Sequence, residues 1–418
     1  MINFDQLRTP LAVLFSLLLA ACGGGGGGGG EGVNGGAAAP PAQPPIVVTP
    51  MVEGGDNFSF ALMQDGTVIG VGHQQNGTLG DGEFGPTFTD TPRPVLNIAR
   101  ITQVASGDAH SIARRDDGAV FVWGANGAGQ LGIGQAGGAA AAPVQLGLSN
   151  IIAVAAGGDS SYALRGDGVV FAWGNNVAGQ LGLNDGSQRV APVQIPNLSG
   201  VTAIAAGGQH VLAIRNNGTV FAWGNNLNGQ LGLGINDTTP RDVPTHVVAL
   251  DGLNVRQIAA GEFHSLALAA NGTMRAWGSN SLGECGNGFG GQKNVPVQVL
   301  GLTRPVTAIA AGNRHSLALL DNETMRTWGS NTRGQLGNGT SGQSTSTDIP
   351  QIVQVNGGGT LTSVAAIGAG KNHSLVITAD GSVGCFGDNF SSECGQPSGF
   401  STITRAIGVG SPVLNVNQ

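Results

Sequence analysis

The sequence predicts an all-β protein: a seven-bladed β-propeller with about four antiparallel strands per blade, its ring closed by a C-terminal strand. Three observations carry that expectation. Trp-Gly recurs at Trp123, Trp173, Trp223, Trp277 and Trp328, with gaps of 50, 50, 54 and 51 residues. Val71-Gly72 and Phe386-Gly387 fill the same slot at the two ends, which makes seven copies. Within each copy, apolar runs of four to six residues alternate with Gly or Asn-Gly, a strand length rather than a helix length. A four-stranded sheet cannot bury both faces alone. Stacking each copy on the next, and closing the stack into a ring, removes the bare faces.

The elements follow in chain order. Residues 11–21 are apolar except for Ser16 and end in Leu19-Ala20-Ala21-Cys22. The run is too short to span a bilayer and fits the apolar part of an export signal, with small residues at the cleavage site. Its charged leader is weak, because Asp5 partly offsets Arg8. The residues ending at Cys22 resemble the lipobox of bacterial lipoproteins, in which the cysteine thiol takes a diacylglyceryl thioether and becomes the new N-terminus. The resemblance implies a signal peptide over 1–21 and lipidation of Cys22. An ordinary secretory signal with an incidental cysteine is the other reading. Residues 23–30 are eight consecutive glycines, a random coil, and the Ala/Pro stretch over 37–45 is stiffer and extended. Residues 22–50 therefore read as a tether that holds a globule clear of a membrane. Asp after the cysteine usually marks inner-membrane retention in lipoproteins; Gly23 stands there, which points to the outer membrane of a bacterial envelope.

The propeller is expected over 51–411, with a tail at 412–418. The fourth copy shows the grammar: "VTAIAAGG", "HVLAI", "NNGTVFAWGNN", "GQLGLG". Asp65-Gly66, Asp117-Gly118, Asp167-Gly168, Asn217-Gly218, Asn271-Gly272 and Asp380-Gly381 sit between two strand-like runs as tight hairpin turns, where glycine tolerates positive φ. The sixth copy has Asn322-Glu323 there, which predicts a strained or altered turn. Residues 402–410 (TITRAIGVG) look like 201–208, the opening strand of a copy. The first copy's own opening strand, near 46–53, is interrupted by Pro50. The C-terminal strand is therefore expected to pair into the first blade and clasp the ring.

"IAAGGQHVLAI…NNGTVFAWGNNLNGQLGLG" resembles the regulator of chromosome condensation repeat family, whose members are seven-bladed propellers. The likeness covers roughly 53–410 and recurs seven times, which makes it specific. The copies that depart from it are the first, with Val71 and His73, and the seventh, with Phe386.

Little in the chain looks like catalysis. His110, His210, His264, His315 and His373 share one slot, with Phe58 and Ser160 in the other two copies. Equivalent positions on a ring cannot gather within about 2.1 Å of one ion. Each imidazole is expected to tie a loop or a neighbouring strand by hydrogen bonds. The tryptophans read as packing between blades. Residues 127–132 match a dinucleotide-binding G-x-G-x-x-G only as a fragment of the repeat. No nucleophile elbow, P-loop, zinc-protease or calcium-loop motif is present. No cofactor, no metal and no enzymatic activity are expected. Among the four cysteines, Cys285, Cys385 and Cys394 fall in apolar slots. They are either three packed thiols, or an exported chain oxidises Cys385 with Cys394 and leaves Cys285 free.

The net charge of −7 and the missing basic run exclude the electrostatic footprint of a nucleic-acid binder. The resemblance brings two regulatory analogies. The founding member is a guanine-nucleotide exchange factor for the GTPase Ran on chromatin, and a secreted bacterial relative is a propeller inhibitor of β-lactamase. Compartment favours the second. The expectation is a monomeric, non-enzymatic module engaging an unknown protein partner through loops on one propeller face, with its membrane contact through the Cys22 lipid. A channel-centred enzyme and a purely structural envelope protein are the other readings. The variable segments after Gly-Gln-Leu-Gly supply the candidate anchors: Phe84, Phe88, Arg189, Arg241 and Phe289, with the loop at 398–400 also on that face.

Overall fold

The computed structural model describes residues 46–85, 88–355 and 359–395, with the backbone of 401–406. The signal peptide, Cys22, most of the tether, the loop at 398–400 and the tail lie outside the described residues. Seven separate four-stranded antiparallel sheets occupy 51–94, 101–146, 151–194, 201–246, 255–298, 306–352 and 364–406. In each, the strands pair in chain order, so every blade is a meander from the inner edge outward. Among the described residues no helix is long and apolar enough to cross a membrane.

The fourth blade shows how the repeat makes this shape. Its strands are Val201–Ala206, His210–Arg215, Val220–Gly224 and Arg241–His246. In the central pair His210 lies opposite Gly224 and Val211 opposite Trp223. The turn between them closes with Gly218 N–H donating to the Arg215 carbonyl at 2.8 Å, and Gly218 sits at φ +78°. Glu323 holds the corresponding place in blade 6 at φ +61°, the altered turn expected from Asn322-Glu323.

Packing between blades explains the Trp-Gly grammar. All five tryptophans are fully buried. Trp223 joins a cluster with Tyr162, Leu164, Val170, Leu181 and Ile195, all from blade 3. Each indole therefore packs on the preceding blade. It lies so close that a Cβ on Gly182 would stand 3.0 Å from the Trp223 Nε1, and one on Gly232 2.8 Å from the Trp277 Nε1. The last glycine of each Gly-Gln-Leu-Gly is thus fixed by the next copy's tryptophan, or in blade 6, at Gly337, by Phe386.

The closure differs from the expectation. Ser401–Ala406 is not a strand of the first blade; it is the outermost strand of the seventh, with Ser401 opposite Gly387 and Arg405 opposite Cys385. The spacing explains this. Ser401 follows Gly387 by 14 residues, and Arg189, opening the outermost strand of blade 3, follows Gly174 by 15. A loop of that length delivers the chain to the outer edge of its own blade. Blade 1 supplies its own innermost strand, Met51–Gly54, beginning just after Pro50. The seam is instead sealed by packing: Val52, Ala61 and Val71 of blade 1 share a core with Leu375, Ile377 and Val383 of blade 7. The Lys371 N–H also donates across the seam to the Gly55 carbonyl at 3.0 Å.

Candidate functional site

A meander puts two kinds of loop on each end of the ring. The link between first and second strands and the link between third and fourth emerge on one face; the tight turns and the links between blades emerge on the other. The first of these faces carries the variable residues, and it is held rigid from below.

The support is a relay repeated between blades. His110 Nε2 lies 2.8 Å from Ser161 Oγ, and that hydroxyl donates to the Gln130 carbonyl at 2.8 Å. A hydroxyl has one proton. Because it goes to the carbonyl, the imidazole is the donor to Ser161 and is in its neutral Nε2–H form. The Trp173 indole N–H donates to the same carbonyl at 2.9 Å. The pattern repeats as His210–Ser265–Gln230, His264–Ser316–Glu284, His315–Ser374–Gln335 and, across the seam, His373–Ser59–Glu393. All five histidines are fully buried. Burial holds His110, His264 and His373 down to about 4 and His210 and His315 down to about 3.

Two interfaces lack the histidine. Between blades 1 and 2, Phe58 stands in its slot and stacks edge-on against Phe60, which meets Trp123. Between blades 3 and 4, Ser160 replaces the histidine and Val211 the serine. There the Tyr162 hydroxyl donates to the Gln180 carbonyl at 2.8 Å, beside the Trp223 indole, also at 2.8 Å.

Above the relay, buried asparagines fix the loops that follow each Trp-Gly. The side-chain oxygens of Asn176 and Asn226 accept from the Leu181 and Leu231 amides, both at 2.9 Å. Their Nδ2 groups donate to the Asp185 and Asp237 carbonyls at 2.6 and 3.0 Å. The tips are left exposed and apolar. Val177, Leu227, Ile235 and Phe289, from blades 3 to 5, are 76, 64, 77 and 70% exposed.

The centre of this face is the channel mouth, ringed by the residue after each repeated glycine: Asp56, Asp108, Gly158, Gly208, Glu262, Asn313 and Lys371. Backbone bonds link neighbours around it, from Asp56 N–H to the Asp108 carbonyl at 3.3 Å, Asp108 to Gly158 at 3.0 Å, Glu262 to Asn313 at 3.3 Å and Asn313 to Lys371 at 3.0 Å. The mouth is acidic. Lys371 pairs with Asp56 at 3.3 Å, and among the described residues Asp108, Asp159 and Glu262 have no ion pair of their own. Burial raises these last three carboxyls above their ordinary range, opposed by the Lys371 charge. Glu53, inside the channel wall, is pushed by burial up to about 8.

Known proteins share this architecture. The RCC1-like domain model matches residues 29–303, and models of the regulator of chromosome condensation (RCC1) repeat match within 306–396. The chain belongs to the RCC1-like domain family. That family consists of protein-interaction and regulatory propellers. A human relative, the probable E3 ubiquitin-protein ligase HERC6, is 36% identical over 155 residues, 36% of this chain and 15% of that protein. The RCC2 homolog of Danio rerio is 32% identical over 144 residues, 34% of this chain and 28% of that protein. The chain thus spans under a third of either relative. Among solved structures, Prp20p of Saccharomyces cerevisiae superposes with TM-score 0.71 at 23% identity, over 85% of this chain and 87% of that one. Human WBSCR16 gives 0.71 at 22% identity, over 85 and 95%.

The loops of this RCC1-like propeller place the sequence-chosen anchors unequally. Phe84, Phe88 and Phe289 are exposed, at 63, 46 and 70%. Arg189 and Arg241 are turned inward: Arg189 pairs with Asp185 at 2.6 Å and donates to the Ser187 carbonyl at 2.7 Å, and Arg241 does the same with Asp237 and Thr239. Both brace their own loops, so they shape the face rather than reach from it. Cys385 and Cys394 are joined as a disulfide with Cα atoms 5.3 Å apart, and Cys285 is a free, buried thiol. The acidic mouth and the tips Val177, Leu227 and Ile235 escaped the sequence reading. A signal for the mouth existed: inside a strict repeat, the two positions after the repeated glycine differ among the copies, with Asp56, Asp108 and Glu262 at the first of them.

Proposed function

We propose that this RCC1-like chain is a non-enzymatic binding module, held at the bacterial cell envelope by a lipid on Cys22, that engages a protein partner through the loop face of blades 3 to 5. One observation carries this reading. Four large apolar side chains, Val177, Leu227, Ile235 and Phe289, stand mostly exposed on loops that buried asparagines hold rigid. Pre-ordered apolar tips around polar ground are the anatomy of a protein interface. The loops also interlock. Gln292 Nε2 reaches the Leu227 carbonyl at 3.5 Å and Asn294 Nδ2 the Ile235 carbonyl at 2.8 Å, so blades 4 and 5 present one surface. The Prp20p structure was reported with that protein's binding to Gsp1p and histones, which supports use of this propeller scaffold for protein partners.

Capture from envelope extract by the full chain tests the reading. The pair Leu227→Asp and Ile235→Asp should reduce capture at least tenfold, while Val248→Asp on the opposite face should leave it intact. Equal capture by both would refute the assignment. Loss of lipid labelling in Cys22→Ala is the expected result for the anchor; unchanged labelling would contradict it.

A further inference from the structure

The same sector of the face contains a polar groove of about 260 Å³, lined by Asp108, Asp159, Gln209, Asn225, Gln230 and Glu262. Its floor holds a donor without an acceptor. Gln230 is 1% exposed, and its Nε2 makes no hydrogen bond. The repeat explains why. In blade 2 the equivalent amide, Gln130 Nε2, donates to Asp159 of the next blade at 2.8 Å. The position that would serve Gln230 is Phe263, which has no acceptor and instead lies under the Arg314 guanidinium at 5.5 Å. A buried amide donor left unpaired costs about 1–3 kcal/mol, so a ligand acceptor that reached it would recover that cost.

Two more features converge on the groove. The backbone ring around the mouth is interrupted here: among the described residues no such bond runs from Gly158 to Gly208 or from Gly208 to Glu262. And the charged side chains that line the groove are all acidic: Asp108, Asp159 and Glu262, with the cations that act on them, Lys371 and Arg314, outside the lining. An incoming carboxylate is repelled, whereas a cation is drawn in. Among the described residues no three His, Cys, Asp or Glu side chains are grouped closely enough to hold a metal ion. The complementary ligand therefore carries an organic cation and a neutral acceptor a few bonds apart. An extended peptide supplies both.

We propose that this groove recognises an extended peptide segment bearing lysine or arginine, the side-chain cation lying among Asp108, Asp159 and Glu262 while a main-chain carbonyl accepts from the Gln230 amide. The inference rests on the protein-binding reading above and names the chemistry of the bound segment.

Fluorescence anisotropy with the full chain tests it, using labelled Ala-Lys-Ala-Lys-Ala, Ala-Gln-Ala-Gln-Ala and Ala-Glu-Ala-Glu-Ala peptides, with unlabelled spermidine as competitor. The lysine peptide should bind at least tenfold more tightly than the glutamine peptide and weaken as salt is raised. Asp108→Asn with Glu262→Gln should remove that preference. Phe263→Asn should weaken binding about threefold or more, because it offers Gln230 an internal acceptor. Asn372 and Asn57 hold that slot in blades 7 and 1, so the substitution suits the fold. Thermal melts confirm that each variant is folded. Absence of a lysine preference, a preference indifferent to both variants, or spermidine competing as well as the unlabelled peptide would overturn the proposal. If the preference fails while capture of an envelope protein still depends on Leu227 and Ile235, only this inference falls. If the preference holds and capture ignores Leu227 and Ile235, the binding-face reading falls instead.

Discussion

The Tyr162 hydroxyl donates to the Gln180 carbonyl at 2.8 Å, in the place that a serine hydroxyl from the next blade takes at five other interfaces. Blade 4 carries Val211 there, and blade 3 has lost the histidine that would have met a serine. The single tyrosine of the chain thus restores from one side of the interface what was removed from the other. Tyr162→Phe should cost about 1 kcal/mol, the net worth of a typical hydrogen bond, since the Trp223 indole still serves the carbonyl. Val211→Ser should recover part of that loss in the Tyr162→Phe background and contribute less in the wild type. A urea-melt double-mutant cycle measures this coupling, and strictly additive effects would contradict it.

The seam between blades 7 and 1, like the interface between blades 6 and 7 where Phe386 fills the tryptophan slot, should be more sensitive to its serine than the interfaces that keep an indole. Val71 stands in the tryptophan slot of blade 1, so the Glu393 carbonyl has the Ser59 hydroxyl but no indole. Ser59→Ala strands both the His373 N–H and that carbonyl. With about 1–3 kcal/mol for each of the two buried groups left unpaired, the cost should be on the order of 2–6 kcal/mol. Ser161→Ala, where Trp173 still donates to the Gln130 carbonyl, should cost less. Comparing the two by chemical denaturation checks this, and a smaller loss at Ser59 would argue against the seam as described.

Glu323 holds φ +61° at a turn where the other copies have glycine. Glu323→Gly should therefore stabilise the chain, by about 1 kcal/mol, as relief of left-handed backbone strain outweighs added unfolded-state entropy. Thermal unfolding reads the change; a drop in melting temperature would show that the Glu323 side chain contributes more than its backbone loses.

The five relay histidines should stay neutral in the folded chain through mildly acid pH. Their folded pKa values are depressed to about 3 or 4, below the ordinary 6.5. The stability each contributes is complete above pH 6.5 and is lost as pH falls towards 4 or 3, at a slope approaching about 1.4 kcal/mol per pH unit for each group. Glu53 and Glu393 work the other way: burial raises them to about 8 and about 7, so stability falls as pH climbs from 4.5 through those values. Nitrogen-resolved NMR should find five imidazoles in the Nε2–H tautomer that do not titrate between pH 7.5 and 5. Titration of any of them near pH 6.5 would contradict the relay.

The sequence made the strong periodic features readable because each is set by a local rule. Trp-Gly, the Asn-Gly turns and the histidine slot recur at fixed intervals, and the structure places every one between or within blades as a unit. The outermost strand of blade 7 resembles an opening strand because apolar strands look alike; only the 14 residues separating Ser401 from Gly387 distinguish an outer strand from an inner one. Arginine in a variable loop points to an interface anchor, but an aspartate four residues before Arg189 and before Arg241 pairs with each of them, which residue type alone does not show. The unpaired Gln230 amide was hidden for a different reason. It follows from Phe263, 33 residues away and in another blade, and only the folded register brings the two positions together.

The most direct test of the binding face is site-specific photo-crosslinking in envelope preparations, with a photoreactive amino acid at Leu227 or at Val248. Both sites are well exposed, at 64 and 68%, on opposite faces of the ring. A discrete protein adduct at Leu227 and none at Val248 is the predicted result. Adducts at both sites alike, or at Val248 only, would contradict it.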